Sequence, residues 1–153
     1  MNQELATFLT AMTPIGELRA AIPLAIGVYK MSPANALFWS ISGNIAIAVL
    51  LIRFLCPAVK ILTRRLPFLK RFLWKVLLKT RKNYYKKHEN WGSLALVMFV
   101  AIPLPMTGAW TAAIIAFLFG IPFCRALALI SAGIIIAGFL VLGVTLGALK
   151  IFF

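Results

Sequence analysis

The sequence predicts an all-α integral membrane protein built as an internal inverted repeat. Each half holds a proline-broken re-entrant hairpin and one transmembrane helix, and a basic amphipathic cytoplasmic segment joins the halves. Three observations predict this. Of 153 residues, 63% are hydrophobic, more than a soluble domain of this size can hide. Prolines break two of the four apolar stretches and leave the other two whole. The charge is confined: twelve of the sixteen basic residues lie between Arg53 and Lys87.

The first apolar stretch runs from about Leu5 to Val28, interrupted by Pro14, Glu17, Arg19 and Pro23. The second, Pro33 to about Leu55, is long enough to cross a bilayer at about 20 residues per crossing. The third, Leu94 to Phe119, is broken by Pro103 and Pro105. The fourth, Phe123 to Leu149, carries only Arg125 and is the clearest spanning helix. The chain reads as one membrane domain: a first repeat over about 4–56, a basic segment over about 57–90, and a second repeat over about 91–151.

The halves correspond at an offset of 89. Pro14 and Pro33 map onto Pro103 and Pro122, while Gly43 and Gly133 lie one residue out of register. Each arm of a broken stretch has about 12 residues and rises only about 18 Å, short of the roughly 30 Å hydrocarbon core. Proline removes a backbone donor and pushes the residue before it towards extended backbone. These arms therefore predict hairpins whose tips meet near the midplane, with both chain ends outside. The competing fold is four kinked crossings, which puts both ends inside.

Between the repeats, Phe68, Leu69, Phe72, Leu73, Val76 and Leu77 recur at helical spacing, with Lys70, Arg71, Lys75, Lys79 and Lys82 mainly opposite. This predicts an interfacial helix held in the cytoplasmic headgroup plane by anionic lipid. A regulatory lipid sensor is the functional alternative. Nucleic-acid binding is not expected, because the run has no soluble module around it.

Catalysis in water is disfavoured. One histidine, three acids and no aspartate rule against a hydrolytic triad or a zinc site. Cys56 and Cys124 stand isolated, so neither a metal nor a cofactor is expected.

The chemistry concentrates in the broken stretches. Glu17 is the only acid inside any apolar block. An ionisable group at membrane depth persists only when paired or facing a polar cavity. Where such a cavity meets water, Glu17 can exchange a proton, as a proton-coupled carrier requires. Its structural alternative is a Glu17–Arg19 pair that braces the hairpin. The second break reads Pro103-Leu104-Pro105-Met106-Thr107-Gly108-Ala109-Trp110-Thr111. Thr107 can cap the following helix, whose free N–H groups favour an anion, and Arg19 would add to them. Candidate substrate-binding residues are therefore Arg19, Pro103, Pro105, Thr107, Gly108 and Trp110. Trp110 could equally anchor packing. Asn44 joins the candidates, although Ser40 and Asn44, four apart on one face, could satisfy each other or a hairpin backbone. Glycines at 143 and 147 allow close helix packing, within the chain or in a homodimer.

Glu17-Leu18-Arg19-Ala20-Ala21-Ile22-Pro23 and the 103–111 motif, in this order and separation, resemble the small multidrug export protein family. More distantly the chain resembles the DedA/VTT membrane proteins. The likeness covers nearly the whole chain. The family pattern has glycine where this chain has Met106 and often where it has Ala20, so a bulkier tip bears on which substrate fits. The resemblance implies paired re-entrant hairpins in the cytoplasmic membrane of a prokaryote. The family label implies drug efflux, and the DedA-like relatives imply proton-dependent handling of lipid phosphates. The expected function is proton-coupled transport of a small amphipathic compound or lipid-phosphate headgroup. The alternative is a membrane scaffold or assembly factor with no transported substrate.

Overall fold

The computed structural model describes residues 2–65, 71, 75, 78, 89–102 and 108–152. Six helices run through them: α1 Gln3–Met12, α2 Glu17–Gly27, α3 Pro33–Arg65, α4 Glu89–Ala101, α5 Ala109–Phe119 and α6 Phe123–Phe152. There is no strand among the described residues.

Local chemistry sets the boundaries. α1 stops at Thr13, whose backbone is extended (φ −74°, ψ 145°), the conformation a following proline demands. Pro14 is that proline. α3 begins with Pro33 at its first position, where a missing N–H costs nothing. The Ser32 hydroxyl accepts from the Asn35 N–H at 3.4 Å, capping the same end. α5 ends at Gly120 in left-handed backbone (φ 71°), whose N–H reaches back to Ala116 and Phe117. Pro122 then starts the chain into α6.

Pro23, expected to interrupt the first apolar stretch, does not, and a second proline is likewise carried within a helix. Pro23 lies inside α2 and Pro57 inside α3. The first apolar stretch is thus broken once, at 13–16, and α3 continues beyond Leu55 into the first basic residues. One proline inside a helix loses one backbone hydrogen bond and can be carried as a kink. The expected interfacial helix over 68–82 lies outside the described residues except at Arg71, Lys75 and Leu78, all three exposed.

Length separates the helices into two kinds. α3 and α6 hold apolar spans, Pro33–Val59 and Phe123–Ile151, long enough to cross a membrane. Only 24% and 33% of these spans is buried, whereas a soluble core helix would be mostly buried. α1, α2 and α5, with 10, 11 and 11 residues, rise only about 15–17 Å. α4, with 13, rises about 20 Å. None of these four crosses a bilayer alone.

The long helices pack on each other, and the short ones pack around them. α1 lies against α2 and α3, and α4 against α5 and α6. α2 also reaches α6, and α5 reaches α3. Glycines permit the closest approaches. A Cβ on Gly43 would strike the Phe8 carbonyl of α1, and one on Gly133 would lie 2.6 Å from Val100 Cβ of α4.

The core is small-sided: Leu18 and Ile22 meet Ala109, Ala112, Ala116, Ile130 and Ile134. Alanine at these positions lets helix backbones approach, as in lipid-embedded bundles. Outside, Leu5, Phe38, Phe54, Met98, Phe139 and Val144 are exposed, an apolar surface that water would not tolerate on a monomer. The chain is an all-helical membrane protein.

Candidate functional site

Four polar or charged residues are buried among those described: Thr7, Glu17, Ser40 and Asn44. Thr7 is satisfied, since its hydroxyl donates to the Gln3 carbonyl at 2.8 Å. Of the other three, Glu17 and Asn44 line one cavity.

Glu17 opens α2 and is 8% exposed. Its backbone is left-handed, φ 42°, a strained conformation for a residue with a side chain. Strain of this kind persists only where the surroundings enforce it. Here the carboxylate accepts the backbone N–H groups of Ala109 and Trp110. These are the first two residues of α5, whose N–H groups have no partner within their own helix. Gly108, at the N-cap position, offers no side-chain cap. Glu17 therefore caps α5 from the other half of the chain. A Cβ on residue 108 would strike both carboxylate oxygens, so glycine is what admits the carboxylate.

A second tie joins the same two tips. The Trp110 indole N–H donates to the Met12 carbonyl at 3.1 Å, occupying an orphan carbonyl at the end of α1. The ring thus anchors packing, while its backbone N–H serves the site.

Behind these contacts lies a small cavity. Its polar lining is Glu17, Arg19 and Asn44. Leu18, Val100, Ile134, Ala137 and Val141 form apolar walls, with Gly108 and Ala109 at the edge. The Arg19 charge acts on the Glu17 carboxylate. Asn44 is 2% exposed, and its Oδ1 has no hydrogen-bond partner; neither has Ser40 Oγ. The two therefore do not satisfy each other. Cβ atoms four apart on a helix stand about 5–6 Å apart, and these short side chains do not close that gap.

Of the candidate residues, Glu17, Arg19, Asn44 and Gly108 line one cavity. Trp110 joins it through the backbone. Pro103, Pro105 and Thr107 lie outside the described residues. The capping role foreseen for Thr107 is held, among the described residues, by Glu17. Two features had no signal in the sequence: the orphaned Ser40 hydroxyl and the Met12 carbonyl that receives Trp110. No group of His, Cys, Asp and Glu that could hold a metal ion exists among the described residues.

A buried acid, a cation and an amide with an unpaired oxygen thus line one cavity inside an apolar-skinned helical bundle of a membrane protein. A family model described as "Putative small multi-drug export protein" matches residues 17–140, and the chain belongs to that family. No curated protein and no solved structure matches it.

Proposed function

We propose that the chain is a proton-coupled transporter in which Glu17 carries the proton. In this reading Arg19, Asn44 and the motif residues Pro103, Pro105, Thr107, Gly108 and Trp110 bind the substrate. One observation carries the proposal: Glu17 is buried beside Arg19 and Asn44 in a small cavity with otherwise apolar walls, against the start of α5. An acid so placed faces a heavy desolvation cost, which a purely structural hairpin would avoid.

The substrate is a small amphipathic compound or a lipid-phosphate headgroup. The cavity is small, well short of the room that a whole drug-sized ligand fills. That supports a headgroup whose tail stays in lipid. Arg19 and the α5 N-terminus favour negative charge on it.

The proposed architecture is the inverted repeat, with α1–α2 and α4–α5 as re-entrant hairpins. Three features support it: the shortness of those four helices, the close glycine contacts at Gly43 and Gly133, and the reciprocal reach of α2 to α6 and α5 to α3. The basic segment over 57–90 is then cytoplasmic, bound to anionic lipid of a prokaryotic inner membrane. Two spanning helices make a thin wall, which a homodimer would thicken. The likeness to DedA proteins fits a lipid-phosphate substrate.

A scaffold without cargo is the second reading, favoured by the way Glu17 clamps the two tips together. Proteoliposomes with an imposed pH gradient separate the two. A carrier loses gradient-driven uptake in Glu17→Gln while the variant still inserts and folds. A scaffold shows no uptake in either protein.

A further inference from the structure

A helix N-terminus inside a cavity is a ready anion site, and in this protein it is already taken. The N–H groups of Ala109 and Trp110 hold the Glu17 carboxylate, which is chemically what an external carboxylate would place there. Glycine at 108 clears the approach for it. Beside it Asn44, 2% exposed and lining the same cavity, keeps Oδ1 without a partner. A buried carbonyl oxygen of this kind calls for a hydrogen-bond donor. The carboxylate cannot supply one, but a protonated acid can. The strained backbone of Glu17, φ 42°, marks the residue that would move.

We propose that the N-terminus of α5 is a binding site for a singly charged carboxylate, phosphate or sulfonate group, and that Glu17 occupies it as an internal stand-in. Building on the transport reading above, the exchange runs as follows. Glu17 takes up a proton, gives up the two N–H groups and donates its new O–H to Asn44 Oδ1. The incoming anion then accepts from Ala109 and Trp110. The α5 terminus faces one negative charge before and after, so the apolar walls never enclose two. Proton and anion enter together and leave together, which makes the cycle an electroneutral symport for a monoanion.

The charged surroundings are few. Arg19, on α2 itself, is the only charged residue besides Glu17 that lines the cavity among the described residues. The packed elements contribute Asn44 from α3, Val100 from α4, Gly108 and Ala109 from α5, and Ile134, Ala137 and Val141 from α6, none of them titratable. Proton exchange at Glu17 is thus felt chiefly by Arg19 and by the α5 N–H groups.

The test measures anion binding to the full chain in nanodiscs. The probes are octyl sulfonate and methanesulfonate, both monoanions whose charge stays fixed between about pH 5 and about pH 8. Octyl sulfonate should bind the wild type in acid and weaken towards about tenfold per pH unit once Glu17 is ionised. Glu17→Gln, the neutral isostere, should bind at the acid affinity at every pH. Binding of octyl sulfonate alone makes the ligand a lipid-like headgroup; binding of methanesulfonate as well makes it a free monoanion. Either supports the proposal. Wild-type binding that ignores pH overturns it, as does loss of binding in a Glu17→Gln protein with unchanged melting temperature. If that variant does not fold, Glu17→Asp decides: its shorter carboxylate should compete less and flatten the pH profile, and an unaltered profile overturns the proposal. Uptake in proteoliposomes is read separately. Switched binding without uptake sinks only the carrier reading, whereas pH-driven uptake of a cationic dye without anion binding sinks only this inference.

Discussion

The Glu17 carboxylate fills the space that any side chain on residue 108 would need. That space lies over the first N–H groups of α5, so the acid of one half caps a helix of the other. The two residues are therefore coupled, and substitutions at either should be read together.

Gly108→Ala should destabilise the protein by about 1–3 kcal/mol, the usual range for an overpacked site. Thermal unfolding in detergent measures it. The loss should shrink when Glu17→Ala is added, because the clash partner is gone. Additive losses would mean that Gly108 is needed for another reason.

Trp110→Phe keeps an aromatic ring, though a smaller one, and removes the N–H that reaches the Met12 carbonyl. The expected cost is about 1–2 kcal/mol, for one lost bond and one carbonyl left without its partner. A melting temperature equal to the wild type would show that the tips are held without this tie.

Gly133→Ala and Gly143→Ala should behave differently although both lie on α6. A Cβ at 133 meets Val100, whereas one at 143 meets nothing within 4 Å. The first should destabilise. The second should be neutral or stabilise by up to about 1 kcal/mol through helix propensity. Equal effects would remove the close α4–α6 approach from the account.

The sequence made the helices largely legible because their boundaries are local chemistry. Pro14 ends α1 through its effect on Thr13, and Pro33 and Phe123 open the long helices where the apolar stretches begin. Pro23 misled because a proline's effect depends on whether neighbours can carry a kink, which is tertiary information. Glu17 stood out as an acid in an oily stretch, but its partners did not. Trp110 and Met12 are 98 residues apart, and no spacing rule reaches across such a separation. Ser40 and Asn44 looked self-sufficient by helical spacing alone; both instead keep an unpaired oxygen.

The central claim is that two folded-back helix pairs enclose Glu17 and Arg19 in a wet pocket within the membrane. Sidedness of single thiols tests it most directly, after Cys56 and Cys124 are replaced by serine. Asn2→Cys and Lys30→Cys flank the α1–α2 pair, and Glu89→Cys and Ile121→Cys flank α4–α5. In sealed, oriented vesicles a membrane-impermeant maleimide should label Asn2→Cys and Lys30→Cys from the outer face, and Glu89→Cys and Ile121→Cys from the inner face. Labelling of Asn2→Cys and Lys30→Cys from opposite faces would mean that the first pair crosses the bilayer, and would contradict the account.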